Sequence, residues 1–308
     1  MGTRAGGLSG WAGRVITAAL PDPAMIPYYA IPIYHLGPLP LDPWGTLVCI
    51  GFVVGLEVAR ARGIKVGLDV RDVVDGIIAM VGMGFIIGHL VDVLVYHPDK
   101  IEEHGAIILI QPWAGLSSFG GFLGAVMGAL LFYKVIRKRP WLPHAEAVLY
   151  GFPFAWTFGR LGCTVAHDHI GQLTTFPLAI QYPCTLGGDP TFQIRHNLGL
   201  YEALWTMVIA VTFYVLGRKP RPTGFWVVLW CGMYAPVRFG LDFLRNHDLP
   251  QLSCDSRVLL HNALQDVRLT GLTPAQYGCL VMAGLGVWAW VWMRGQKEKQ
   301  GATADALR

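Results

Sequence analysis

Seven long apolar runs, each near the length of a membrane-crossing helix, set the terms for this chain. They lie near 44–60, 73–96, 106–133, 145–165, 198–216, 223–241 and 275–293. A spanning helix needs roughly 20 predominantly apolar residues. In lipid, every backbone polar group must be satisfied within the protein, which leaves helices or a closed barrel. Runs this long argue for helices. Composition agrees: of 308 residues, 53% are hydrophobic and 14% charged, against about 25% charged in soluble domains. The expected fold is an all-α membrane protein of about seven transmembrane helices. Pro112 and Gly115 are expected to break the long third run into an entering and a spanning piece. Pro236 is expected to kink the sixth.

Loop charges set the orientation. Arg60, Arg62, Lys65 and Arg71 follow the first run, and Lys134, Arg137, Lys138 and Arg139 follow the third. Arg218, Lys219 and Arg221 follow the fifth, and Arg294, Lys297 and Lys299 follow the seventh. The intervening loops carry few cations, apart from Arg245, Arg257 and Arg268 after the sixth. The positive-inside rule then places the N-terminus outside and the C-terminus in the cytoplasm.

The implied organisation starts with an N-terminal extracytoplasmic arm at 1–43 and helices one to four over 44–165. A small, irregular extracytoplasmic head segment follows at 166–197, where Pro177, Pro183, Gly187, Gly188 and Pro190 favour irregular or short-stranded chain. Helices five and six occupy 198–245, an extracytoplasmic arm 246–274, and helix seven with a cytoplasmic tail 275–308. The first 24 residues carry Arg4 and Arg14 with only a short apolar stretch before Pro21, which suits a peripheral, partly amphipathic arm rather than a simple signal peptide. The net charge of +4 is modest and sits in loops, so nucleic acid is not expected as a partner. None of the six cysteines has CxxC spacing. Cys184 and Cys254 fall in two long loops on the same predicted side, where a bridge between them is open.

Charges inside the apolar runs carry the chemistry. Arg160 stands in Gly159-Arg160-Leu161-Gly162-Cys163, near the end of the fourth run. A charge at depth costs about 2.5–3.5 kcal/mol on insertion scales, so it has a partner, either a side chain or an anionic ligand. Gly159 and Gly162 allow close approach of a lipid or a second backbone. His167, Asp168 and His169 follow; His167 shares the face of Arg160 if the helix continues, and Asp168 either pairs with Arg160 or accepts a proton. A polar helix exit is the competing reading. In the sixth run, Arg238, Asp242 and Arg245 are spaced i, i+4 and i+7 and form one helical stripe with net positive charge. Guanidinium groups match phosphate bidentately; a membrane-edge salt bridge is the alternative. His89, three residues before Asp92, is either a base oriented by that carboxylate or a buried imidazole simply hydrogen-bonded to it. Ser117-Ser118-Phe119-Gly120-Gly121 suits close approach of lipid or helix–helix packing. The histidines and Asp168 lack the spacing of a metal site, and no metal is expected.

These features resemble the bacterial prolipoprotein diacylglyceryl transferases over about residues 36 to 294. The likeness runs through Leu36-Gly37-Pro38, Trp113-Ala114-Gly115-Leu116-Ser117-Ser118-Phe119-Gly120-Gly121, and the Gly159-Arg160-Leu161-Gly162 signature closed by Gly171. It continues through Leu200-Tyr201-Glu202 and the run Arg238, Asp242, Arg245 and Asp248. The resemblance implies seven transmembrane helices in the bacterial inner membrane and an extracytoplasmic active site without a cofactor. It implies transfer of a diacylglyceryl group from phosphatidylglycerol, a membrane lipid, to the lipobox cysteine thiol of a preprolipoprotein, with glycerol phosphate leaving. On that reading Arg160, Arg238, Asp168 and His167 are catalytic. Arg245, Gly120, Gly121, Gly159, Gly162, His89, Cys163 and Asp242 line the substrate. The chain departs from the family pattern at Cys163 for asparagine, Asp168 for glutamate, Phe119 for histidine, Trp44 for tyrosine and His89 for arginine. Two classes therefore stand side by side: a transferase with proton transfer relocated to His167, His169 or His89, or with another acceptor, and a non-catalytic lipid- or lipoprotein-binding relative.

Overall fold

In the computed structural model, residues 25–29, 31–37, 39–111, 115–186, 189–246, 253–254, 268 and 270–306 are described. Residues 1–24, where an amphipathic arm is expected, and Pro38, Pro112, Trp113, Ala114, Gly187, Gly188, Asp248 and Arg257 lie outside them.

Each apolar run coincides with a long helix. α1 (Pro43–Lys65) opens where the Asp42 carboxylate accepts from the Gly45 amide at 2.9 Å and Pro43 takes the first turn, where its missing N–H costs nothing. α2 (Val70–Val91), capped by Asp69, is prolonged by a π-helical turn over Asp92–Tyr96. Short α3 (Asp99–His104) and a 3-10 turn (Ala106–Ile110) lead into α4 (Ser118–Leu130), capped by Ser117 and prolonged over Leu131–Ile136. The third run is thus divided, with Gly115 in the non-helical connection. α5 spans Trp141–Ala166, α6 Leu198–Leu216, α7 Phe225–Leu241 and α8 Pro274–Ala306. α7 carries Pro236 in its interior.

Four stretches, Val70–Tyr96, Phe119–Ile136, Leu198–Leu216 and Phe225–Leu244, are long and apolar enough to cross a membrane by length and composition. Outward-facing Ile78, Val126, Val211 and Val281 are each more than half exposed. Such faces are unstable in water and at home in lipid; this is a membrane protein.

The tightest pairings are α1 with α5, α2 with α4, α5 with α6 and α7 with α8. α2 and α4 touch backbone to backbone: a Cβ at Gly124 would stand 2.3 Å from the Met83 carbonyl, and one at Gly120 2.8 Å from that of Ile87. The Gly121 amide lies in the same seam, within contact reach of Gly88. Gly120, expected against substrate, has its Cβ side closed by α2, whereas a Cβ on Gly121 would meet only the Gly84 carbonyl, at 3.9 Å.

The basic loops converge at one end of the bundle. Arg62 Nη1 and Lys65 Nζ donate to the Gly217 carbonyl, Arg139 to Asp72, and Glu146 accepts from the amides of Gly224 and Trp226. At the opposite end lies a sheet of β1 (Ile26–Pro27), β4 (Ile170–Leu173), β5 (Ile180–Leu186), β6 (Asp189–Asn197) and β7 (Ser253–Cys254). A separate hairpin joins β2 (Tyr34–Leu36) to β3 (Leu39–Leu41). β5 is antiparallel to β6 from Ile180↔Arg195 to Leu186↔Asp189, and β6 to β4. The other edge of β5 takes β1 in parallel at one end and β7 at the other. Register sets Cys184 opposite Cys254, whose side chains lie outside the described residues. Ile170, Ile180 and Tyr182 form the sheet's core, with Ile26 and Tyr28 packed on it.

Candidate active site

Arg160 lies six residues before the end of α5, about 9 Å below it at the helical rise of 1.5 Å. Arg238 lies three residues before the end of α7. Both reach Glu202, in the first turns of α6: Arg160 Nε is 2.9 Å from Oε1 and Arg238 Nε 3.5 Å from Oε2. All three side chains are deeply buried, at 12%, 9% and 2% exposure. Two guanidinium groups from different helices thus meet on one carboxylate. Tyr234 of α7 donates to Glu202 and accepts from Trp156 Nε1 at 3.0 Å. The Arg160 guanidinium also stacks on the Trp156 ring, 4.6 Å from its centre.

Arg160 is incompletely satisfied. Its Nε–H is buried and finds no hydrogen-bond acceptor, because the direction to Glu202 is wrong for one. Its Nη1 donates to His169 Nε2 at 3.3 Å and lies 3.9 Å from Cys163 Sγ. These are neutral acceptors for a group whose strongest bonds go to anions.

The stripe on α7 is realised with a change of geometry. The α-helix ends at Leu241, and a 3-10 turn (Asp242–Leu244) carries Arg245 into extended chain. Asp242, fully buried, still takes both cations: Arg238 Nη1 by a short contact and Arg245 Nε at 2.9 Å. It also accepts from Thr273. Arg245 pairs by its backbone with Gly171, the glycine that closes the signature. Gly162 packs on Trp44, whereas nothing stands within 4 Å of a Cβ built on Gly159.

His167 and His89 do not join this cluster. α5 stops at Ala166 because His167 adopts φ 53°, so His167 does not continue the Arg160 face. Its ring turns into the head, with Nε2 3.2 Å from the Tyr29 carbonyl and Nδ1 3.4 Å from Tyr182 Oη and Asn197 Nδ2. Burial pushes this imidazole's pKa down. His89 is not oriented by Asp92. Its two nitrogens lie 3.0 Å from the Gly115 carbonyl and 2.7 Å from that of Ile108, pinning the connection before α4. Asp92 pairs instead with Lys100 and His97.

Asp168 pairs with its neighbour: Oδ1 is 2.7 Å from His169 Nδ1. Burial pushes its carboxyl up, but the His169 hydrogen bond and the His169 and Arg160 charges outweigh this and hold it below the usual carboxylate value. The ligating atoms of Cys163, Asp168 and His169 lie within 4.8 Å of one another, a set that could hold a metal ion. The grouping of His89, His167, His169 and Asp168 weighed from sequence is not brought together. Arg160, in contact with both Cys163 and His169, puts a fixed positive charge where a cation would sit.

Sequence reasoning missed Glu202, Tyr234 and Thr273 as site residues. Glu202 carried the same signal as Arg160, a charge inside an apolar run.

Fold and site together define a membrane-embedded helical protein with a buried cluster of arginines and carboxylates at one end of its bundle. The family model described as prolipoprotein diacylglyceryl transferase matches residues 32–292. A phosphatidylglycerol–prolipoprotein diacylglyceryl transferase of Photobacterium profundum is 29% identical over 218 residues, 70% of this chain and 80% of that protein. A protein of the same name from Acinetobacter baumannii is 30% identical over 223 residues, with the same coverage. One from Vibrio parahaemolyticus is 30% identical over 220 residues, 70% of this chain and 78% of its own length. The chain belongs to the prolipoprotein diacylglyceryl transferase family.

Proposed function

We propose that this chain transfers a diacylglyceryl group from phosphatidylglycerol to the lipobox cysteine thiol of a preprolipoprotein, releasing glycerol phosphate. The observation that carries the reading is the convergence of Arg160 and Arg238, from separate helices, on Glu202. The lipid phosphate is a diester with one negative charge; the departing monoester carries nearly two at neutral pH. Fixed guanidinium groups therefore bind the products of bond cleavage more strongly than the substrate, which is the condition for lowering the barrier. Arg160 and Arg238 hold the phosphate, Arg245 and Asp242 brace Arg238 from the head side, and the open surface at Gly159 admits the lipid.

The proposed setting is the bacterial inner membrane. Seven helices span it, with the N-terminal arm, the 166–197 head and the 246–274 arm outside and the C-terminal tail in the cytoplasm. Support comes from the clustering of basic loops at the end of the bundle opposite the arginine site, in line with the positive-inside rule.

Arg160→Ala is the direct test. Reconstituted variant and parent are supplied with labelled phosphatidylglycerol and a lipobox peptide; the variant is expected to lose transfer, and a normal rate would refute the reading. Rescue of cells depleted of their own transferase by the parent chain separates catalysis from lipid binding alone.

A further inference from the structure

A thiol attacking carbon must lose its proton, and the histidine that the family resemblance leads one to expect is Phe119 here, an apolar side chain 65% exposed. We propose that His169 is the proton acceptor, with Asp168 as its positioning residue; this rests on the transferase reading above. His169 is half-buried and hydrogen-bonded to Arg160. His89 is spent on two carbonyls and His167 on the head. His196 holds Tyr201, and His144 lies at the basic end on the Pro140 carbonyl.

The geometry fixes the tautomer. An ionised carboxylate only accepts, so the 2.7 Å contact with Asp168 Oδ1 places the proton on Nδ1 and leaves a lone pair on Nε2. That lone pair points at Arg160 Nη1, the group assigned to the lipid phosphate. In the resting chain it is occupied by the guanidinium hydrogen bond. A phosphate oxygen is the stronger acceptor; once it draws Nη1 away, Nε2 is free beside the carbon under attack. The charged and titratable groups facing His169 are Asp168, Arg160 and Cys163, with Glu202 of α6 behind Arg160.

The step balances. The thiol proton passes to Nε2 and the sulfur forms a bond to the glycerol carbon. The carbon–oxygen bond to phosphate breaks, with its electron pair kept by the phosphate oxygen. The proton on Nε2 then leaves to the monoester, whose second ionisation lies near pH 6, or to water.

The test compares the full-length parent, His169→Gln and Asp168→Asn in vesicles of phosphatidylglycerol with a lipobox peptide, from pH 6.5 to 9.5. Loss of a general base costs about 10²–10⁴-fold in rate. His169→Gln is expected to fall by that order at pH 7 with phosphatidylglycerol binding intact. The deficit should shrink as pH rises past about 8.5, where a free cysteine thiol ionises unaided. Asp168→Asn should show the same pH-dependent shape with a smaller loss. A parental rate for His169→Gln at pH 7, or a deficit unchanged across the pH range, would overturn the assignment while leaving the transferase reading intact. A parent chain that binds phosphatidylglycerol and transfers nothing would overturn that reading, and this proposal with it.

Discussion

Glu202→Gln isolates the feature on which the site is built. The carboxylate is 2% exposed, touches Arg160 and Arg238, and accepts from Tyr234. Glutamine keeps its shape and removes its charge. Breaking a buried ion pair by removing one partner costs about 3–5 kcal/mol. Arg238 retains Asp242, so the loss falls mainly on Arg160, and the expected cost is near the lower bound, about 3 kcal/mol. A phosphodiester carries the same single charge as the lost carboxylate. Ligand at about 100 times its dissociation constant stabilises a protein by about 2.7 kcal/mol, nearly enough to offset the substitution. Thermal unfolding at one fixed scan rate, in micelles doped with phosphatidylglycerol or zwitterionic phosphatidylcholine, reads both effects. The variant should unfold well below the parent in phosphatidylcholine and gain more than the parent from phosphatidylglycerol, because in the parent Glu202 already places one negative charge beside the arginines. Equal unfolding temperatures for variant and parent in phosphatidylcholine, or equal gains for both from phosphatidylglycerol, would refute the reasoning.

Other substitutions separate scaffold from site. His89→Ala removes the ring that faces the buried Ile108 and Gly115 carbonyls and should cost at least about 1–3 kcal/mol in stability, with transfer per folded molecule unchanged; thermal unfolding and single-turnover assays read the two. Gly124→Val drives a side chain into the Met83 carbonyl and should cost at least about 1–3 kcal/mol, seen as a lower unfolding temperature or loss of detergent-stable protein. The buried His167 binds its proton less readily folded than unfolded, so acid favours the unfolded head. Stability should therefore hold at pH 7.5 and decline below about 6.5, by at most ~1.4 kcal/mol per pH unit. Hydrogen-exchange protection factors in β4 to β6, taken relative to the intrinsic rate at each pH, should fall accordingly, and pH-independent protection factors would contradict the assignment.

Arg160 and Arg238 were legible because an isolated charge in an apolar run demands a partner, whatever the fold. Glu202 makes the same demand, yet it sits one turn into a helix that opens beside polar residues, where an acid reads as a helix start. Its burial comes from the docking of α6 on α5, which no local pattern reports. The helix end at His167 was invisible for a different reason: neither glycine nor proline marks it, and the left-handed turn is held by contacts with Tyr29, Tyr182 and Asn197. His89 was misassigned because Asp92 is its neighbour in sequence, whereas the carbonyls it serves belong to an irregular connection that needs donors. The long apolar helices followed from run length alone; of the sheet only short-stranded chain at 166–197 was expected, because Pro183 and Pro190 interrupt what are seven- and nine-residue strands.

The pairing of β1 with β5 joins Ile26 to Ile180, about 150 residues downstream, so the order of events during synthesis matters. The ribosome must deliver all of α1 to α5 before the partner of β1 exists. Until then the first strand waits with an open edge, and the sheet is complete only once β7 has followed to pair with β5. A chain halted after α5 would carry its arginine into the membrane without Glu202 to receive it.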